Sequence, residues 1–322
     1  MPVVVFDLEG PLSPDDHAYE VARRYLPDGD RLFEVLSAYD DALYFEVRRE
    51  GYEPGGTLVL LLPFLKVHGV TDEDLKRVSD EAGLTPGAEE AVAAADPGYV
   101  ASTSYRVHAV NVAGRVGIPE DRVRCTDVSL DELPEPGDEE RRLVERIEEE
   151  VLSLYPPDDW RELVERLDPL FFEELPSTRL GEACMRVEVC GGGKKARAVE
   201  WAAGREGVDV GDVVCVGDSI TDVEMMRFVR EEGGLAVAFN GNRYCVPEAD
   251  VAVAAGSLDV VVPLFEAFDE GGKEAALEVA ETLEGVEGVL VVSEADEGEL
   301  KSFVRLSEDV RERVRGEAGR LG

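Results

Sequence analysis

The chain has 322 residues, with 33 Lys+Arg against 71 Asp+Glu and a formal net charge of -38. That excess of carboxylates leaves no electrostatic means of displacing counterions from a nucleic-acid backbone, and it repels anionic lipid. With 44% hydrophobic residues the chain is too apolar for wholesale disorder, and its longest apolar runs, near Leu58 to Leu65 and Val251 to Val262, are too short or interrupted to span a bilayer. We therefore expect a globular protein with no nucleic-acid partner and no membrane insertion, in a salt-rich medium that screens its self-repulsion.

The five cysteines (Cys125, Cys184, Cys190, Cys215 and Cys245) form no C-x-x-C pair, and His17, His68 and His108 stand far apart without paired ligand spacing. The opening Met1-Pro2-Val3-Val4-Val5-Phe6 carries no basic region or long apolar segment. These features predict a cytoplasmic location, reduced thiols and no zinc site.

In chain order, Val3 to Phe6 is a short β-branched run that suits a buried parallel strand, and it ends at Asp7. Ser13-Pro14-Asp15-Asp16 reads as a helix start, and helical spacing continues through Leu32, Leu36, Tyr39, Leu43 and Val47 to a capping box at Thr71-x-x-Asp74. Residues 13–84 are thus a helical cap. From Thr85 the rhythm alternates: a helix to Ala95, a strand from Tyr99 to Ala101 ending in Ser102-Thr103-Ser104, a helix from Arg106 to Arg115, and a strand near Val123. Residues 130–183 form a second, acidic helical insertion. The alternation resumes with a strand at Met185 to Cys190, a helix from Lys194, and a strand at Val213 to Val216 running into Gly217-Asp218-Ser219. A helix near Val223, strands at Leu235 to Phe239 and Val251 to Val253, and a helix from Leu258 to Phe268 complete the pattern.

Repeated strand-helix units predict an α/β, doubly wound parallel sheet. Its core comprises residues 1–12, 85–129 and 184–268. The tail, 269–322, reads as helix, strand and helix, and the pattern leaves its packing open.

Ligands of such sheets bind beyond the carboxyl ends of the strands. Three predicted strands end there in polar residues: Asp7 with Glu9, Ser102 to Ser104, and Asp218 with Asp222. Carboxylates set side by side need a cation or a proton between them, and hard oxygen ligands suit magnesium. Helix N-termini at the same edge favour phosphate. The pattern points to phosphoryl chemistry with a metal.

Together, Val4-Val5-Phe6-Asp7-Leu8-Glu9-Gly10-Pro11-Leu12, the strand ending at Ser102, Lys195 opening a helix, and Gly217-Asp218-Ser219-x-x-Asp222 resemble the four ordered motifs of haloacid dehalogenase-like (HAD) phosphatases. The opening segment is similar also to an archaeal HAD-like family named for subunit R of energy-converting hydrogenase A, which implies association with a hydrogenase complex. The resemblance implies a magnesium-dependent phosphomonoester hydrolase acting on a small phosphorylated metabolite. In it Asp7 is the nucleophile that forms an aspartyl phosphate and ligates the metal. Glu9 occupies the acid/base position with its main-chain carbonyl on the metal, Ser102 binds phosphoryl oxygens, Lys195 neutralises charge, and Asp218 with Asp222 completes the metal site.

Two details stay open. Thr103 could replace Ser102, and Lys194 could replace Lys195, in a chain with few lysines. Position 9 also departs from the family, where Asp is usual and Glu is one methylene longer. Two other functions compete: a non-catalytic HAD-like subunit that binds a protein partner, and a dinucleotide-binding enzyme using Gly191-Gly192-Gly193-Lys194-Lys195-Ala196, which matches G-x-G-x-x-A.

Overall fold

The computed structural model describes residues 1–320. Its elements run β1 (Val3–Phe6), α1 (His17–Tyr25), α2 (Gly29–Asp41), α3 (Thr57–Val67), α4 (Asp72–Glu81), α5 (Ala88–Ala93), β2 (Gly98–Tyr105), α6 (Arg106–Arg115) and β3 (Val123–Thr126). There follow α7 (Asp138–Ser153), α8 (Trp160–Pro169), α9 (Arg179–Met185), α10 (Gly193–Glu206), β4 (Val213–Gly217), α11 (Val223–Glu231), β5 (Leu235–Phe239) and β6 (Val251–Ala254). The tail holds α12 (Val262–Ala280), β7 (Gly288–Val291) and α13 (Glu297–Arg315).

The seven strands form one sheet in the order β3-β2-β1-β4-β5-β6-β7. All pairings are parallel except the last, in which β7 runs antiparallel to β6. The doubly wound α/β class is therefore present. The apolar runs of β1, β4, β5 and β6 are buried along their whole length, as strands covered on both faces must be. One face packs against α5, α6 and α12, and the other against α10, α11 and α13. The tail thus joins the core, as an added sheet edge and a covering helix.

The helices α1–α4 and α7–α9, far apart in sequence, share one hydrophobic cluster. Its centre is α3, all of whose residues are buried, which explains the unbroken apolar run at Leu58 to Leu65. Where the first helical stretch leaves and rejoins the sheet, its two ends are stapled together. Ser13 Oγ donates to Gly83 O at 2.9 Å, and Thr85 Oγ1 donates to Gly10 O at 3.0 Å.

Two local expectations are corrected. The first helix is capped by Asp16, whose Oδ1 accepts from Tyr19 N at 2.9 Å, because Ser13 is committed to the stapled stalk. The segment from Arg186 to Gly192 forms no strand. It passes the end of β3, where Cys190 N donates to the Thr126 side chain at 3.1 Å and so enters no backbone ladder.

Candidate active site

Asp7 and Asp218 follow adjacent strands. In register, Phe6 faces Val216, so both side chains leave the same carboxyl edge of the sheet. The turn after β4 is folded around Asp222: its Oδ2 accepts from the amides of Asp218 and Ser219, each at 3.0 Å. A Cβ on Gly217 would stand 2.5 Å from Asp222 Cγ, so only glycine lets that carboxylate reach back.

Lys195, in the first turn of α10, is fully buried, with Nζ 2.7 Å from Asp222 Oδ1 and 2.8 Å from Asp7 Oδ1. Lys194 turns away to Glu188, at 2.9 Å. The adjacent glycines fit the cap and do not form a nucleotide cradle. A Cβ on Gly191 would lie 2.2 Å from Pro54 O, and Gly193 N donates to Glu53 Oε2 at 3.1 Å.

Electrostatically, one ammonium is shared between two carboxylates. Burial works against the charge on Lys195, but Asp222 and Asp7 outweigh it and raise its pKa. Burial, and next the Asp222 carboxylate, push the Asp7 carboxyl well above its usual range against the pull of Lys195. Asp7, Asp218 and Asp222 offer oxygens within 4.8 Å of one another. The Asp222 oxygens already hold Lys195 and the turn, whereas Asp218 Oδ1 is buried with no hydrogen-bond partner. An orphaned carboxylate oxygen beside a nucleophile-like carboxyl that burial disfavours as an anion is a donor set suited to a hard cation.

Glu9 accepts from His17 N at 3.0 Å and lies 3.7 Å from His108 Nε2. Burial, followed by the neighbouring Asp16 carboxylate, pushes its carboxyl up to about 8. His17 and His108, read from the sequence as unrelated, stack with ring centroids 4.3 Å apart behind it. Ser102 is fully buried and its Oγ accepts from Ser104 N at 3.1 Å, while Thr103 lines the cavity. The strand β2 runs on to Tyr105, so Ser102 lies within it and not at its tip.

Sequence reasoning missed the contribution of α13. Arg311 and Arg315 both bond to Asp218 Oδ2, Arg315 Nη1 at 2.8 Å. Their spacing of four places them on one helix face with the buried Ser307, which is the signal that was available. The cavity of ≈ 80 Å³ that they line also takes Asp16, Asp40 and Asp41 from the first helical stretch.

No protein-family model matches the chain, and no curated protein matches it. Among solved structures, gene product AF1437 from Archaeoglobus fulgidus is 32% identical with a TM-score of 0.87, and the match covers 100% of this chain and 99% of that one. A phosphoserine phosphatase in its apo form is 15% identical, TM-score 0.52, over 81% of this chain and 97% of that one. A phospho-aspartyl intermediate analogue of phosphoserine phosphatase is 17% identical, TM-score 0.53, with the same coverage. At such identities these two establish a shared α/β fold. The chain belongs to the same family as the AF1437 gene product of Archaeoglobus fulgidus.

Proposed function

We propose that the chain is a magnesium-dependent phosphomonoester hydrolase that works through an aspartyl phosphate on Asp7. The observation that carries this reading is the ion-paired line Asp7, Lys195, Asp222 at the carboxyl edge of a parallel sheet, next to the orphaned oxygen of Asp218. The likeness to phosphoserine phosphatase, including its phospho-aspartyl analogue, supports the same chemistry.

In this reading Asp7 attacks phosphorus with Oδ2, since Oδ1 is held by Lys195 at 2.8 Å and by Leu8 N at 2.7 Å. Lys195, fixed by Asp222, keeps positive charge beside the nucleophile as negative charge builds on the phosphoryl oxygens. Glu9, whose carboxyl burial pushes up to about 8, would deliver a proton to the leaving oxygen. Thr103, which lines the cavity, would donate to a phosphoryl oxygen, with Ser102 bracing the strand through Ser104 N. Asp7, Asp218 and the main-chain carbonyl of Glu9 would hold magnesium, and Asp222 would hold the turn that presents Asp218. Bound there, the cation supplies charge neutralisation and keeps Asp7 in its carboxylate form.

The small cavity and its helical roof favour a small phosphorylated metabolite. The test is phosphate release from a panel of phosphomonoesters, with and without magnesium. Magnesium-dependent release from at least one is the expected result. No release from any member would favour a non-catalytic subunit that binds a protein partner.

A further inference from the structure

The cavity wall carries carboxyl groups from Asp7, Glu9, Asp16, Asp40, Asp41 and Asp218. Among the described residues, the cationic side chains on that wall are Arg311 and Arg315. Lys195 is fully buried against Asp7 and Asp222 and does not line it. A phosphate group entering this cavity therefore meets a surplus of negative wall, and its cationic contacts come from α13, at the far end of the chain.

The two arginines differ in what they leave available. Arg311 Nη1 donates to the main-chain oxygen of Asp218 at 3.2 Å and to its Oδ2, and Nε donates to Gly319 O at 3.1 Å. Arg315 donates from Nη1 to Asp218 Oδ2 at 2.8 Å and from Nε to Pro14 O at 3.0 Å. A guanidinium carries five N–H groups, so these two bonds fix the plane of Arg315 and leave donors over. Its side chain is only 6% exposed, so its charge acts with little solvent screening. A planar, prefixed, poorly hydrated cation is the side chain best matched to phosphate oxygens, because little ordering cost remains when the anion arrives.

We propose that Arg315 is an anion-binding residue of this site, taking an oxygen of the substrate's phosphate group. The proposal rests on the hydrolase reading above and deepens it: the C-terminal helix supplies a binding residue that the four motifs do not contain.

The experiment is calorimetric titration of the full chain with inorganic phosphate, in magnesium, for wild type, Arg315→Gln, Arg315→Lys and Arg313→Gln. Arg313 sits on the exposed side of the same helix, paired with Glu287, so its variant makes the same change in net charge away from the cavity. Loss of a charge-assisted hydrogen bond predicts about ten- to hundredfold weaker phosphate binding in Arg315→Gln. Arg315→Lys keeps the charge but not the fork, and should weaken binding by a smaller, measurable factor. Arg313→Gln should bind as wild type does. If Arg315→Gln does not fold, as thermal unfolding will show, Arg315→Lys decides.

Unchanged phosphate affinity in the folded Arg315 variants overturns the proposal. An equal loss in Arg313→Gln, or no phosphate binding by wild type at millimolar concentration, overturns it too. Turnover of a phosphomonoester with unchanged affinity in the Arg315 variants sinks the anion site and leaves the hydrolase reading. Phosphate binding that depends on Arg315, without turnover of any ester, does the reverse.

Discussion

Asp222 holds Lys195: Oδ1 lies 2.7 Å from Nζ, and both side chains are fully buried. The same carboxylate folds the turn that presents Asp218, so one residue sets the position of the cation and of the neighbouring acid. Removing it leaves a buried ammonium with one fewer partner and two amides without an acceptor. Asp222→Ala should lower stability by about 3–5 kcal/mol, read from denaturant unfolding. A loss below 1 kcal/mol would mean that the pair does not organise the site.

Asp218 Oδ1 is buried without a partner, and magnesium binding there should raise thermal stability by mass action. We expect a shift of about 5 °C for wild type at saturating magnesium and none for Asp218→Ala, each measured against its own metal-free baseline. An unchanged shift in the variant would place the cation elsewhere.

Glu9 is one methylene longer than the aspartate of the HAD phosphatases that the motifs resemble, and its side chain sits in a buried pocket beside His17 and His108. A leaving-group acid matters most for poor leaving groups. Glu9→Gln should slow single-turnover aspartyl-phosphate formation at least tenfold more for an alkyl phosphate than for nitrophenyl phosphate. An equal loss for both would assign Glu9 to positioning.

His17 is held neutral by burial, its pKa lowered to about 4 despite its bond to Leu75 O. Between about pH 6.5 and 4 the unfolded chain takes up a proton that folded His17 refuses, so stability falls as pH drops through that window. The contribution reaches about 3 kcal/mol at the acid end. His17→Gln retains a donor for Leu75 O and should show correspondingly less acid sensitivity in pH-dependent unfolding. Parallel curves for the two proteins would contradict the assignment.

The legible part of this fold and site had a simple physical basis. Asp7 and Asp218 each close a wholly apolar strand, and Lys195 opens a helix, so burial pattern and polarity change mark the same positions. The run Gly191-Gly192-Gly193 was ambiguous because close backbone approach looks alike in sequence whether the neighbour is a nucleotide or, as here, Pro54 and Glu53 of the cap. The alternation from Met185 to Cys190 suits a strand, but Cys190 N donates to the Thr126 side chain and not to a strand backbone, a tertiary contact that no local pattern encodes. Arg311 and Arg315 escaped notice because a basic pair four residues apart usually marks a solvated helix face. Only the docking of α13 on the sheet, with Ser307 Oγ on Gly241 O at 2.7 Å, turns that face inward.

The central claim is that Asp7 becomes phosphorylated. Rapid acid quench of wild type with a radiolabelled substrate found in the panel, followed by peptide mapping, tests it directly. The expected result is label on the peptide containing Asp7 in the presence of magnesium, and neither label nor turnover in Asp7→Asn with its thermal unfolding nearly unchanged. Turnover by Asp7→Asn, or wild-type turnover with no label at Asp7, would contradict the covalent mechanism.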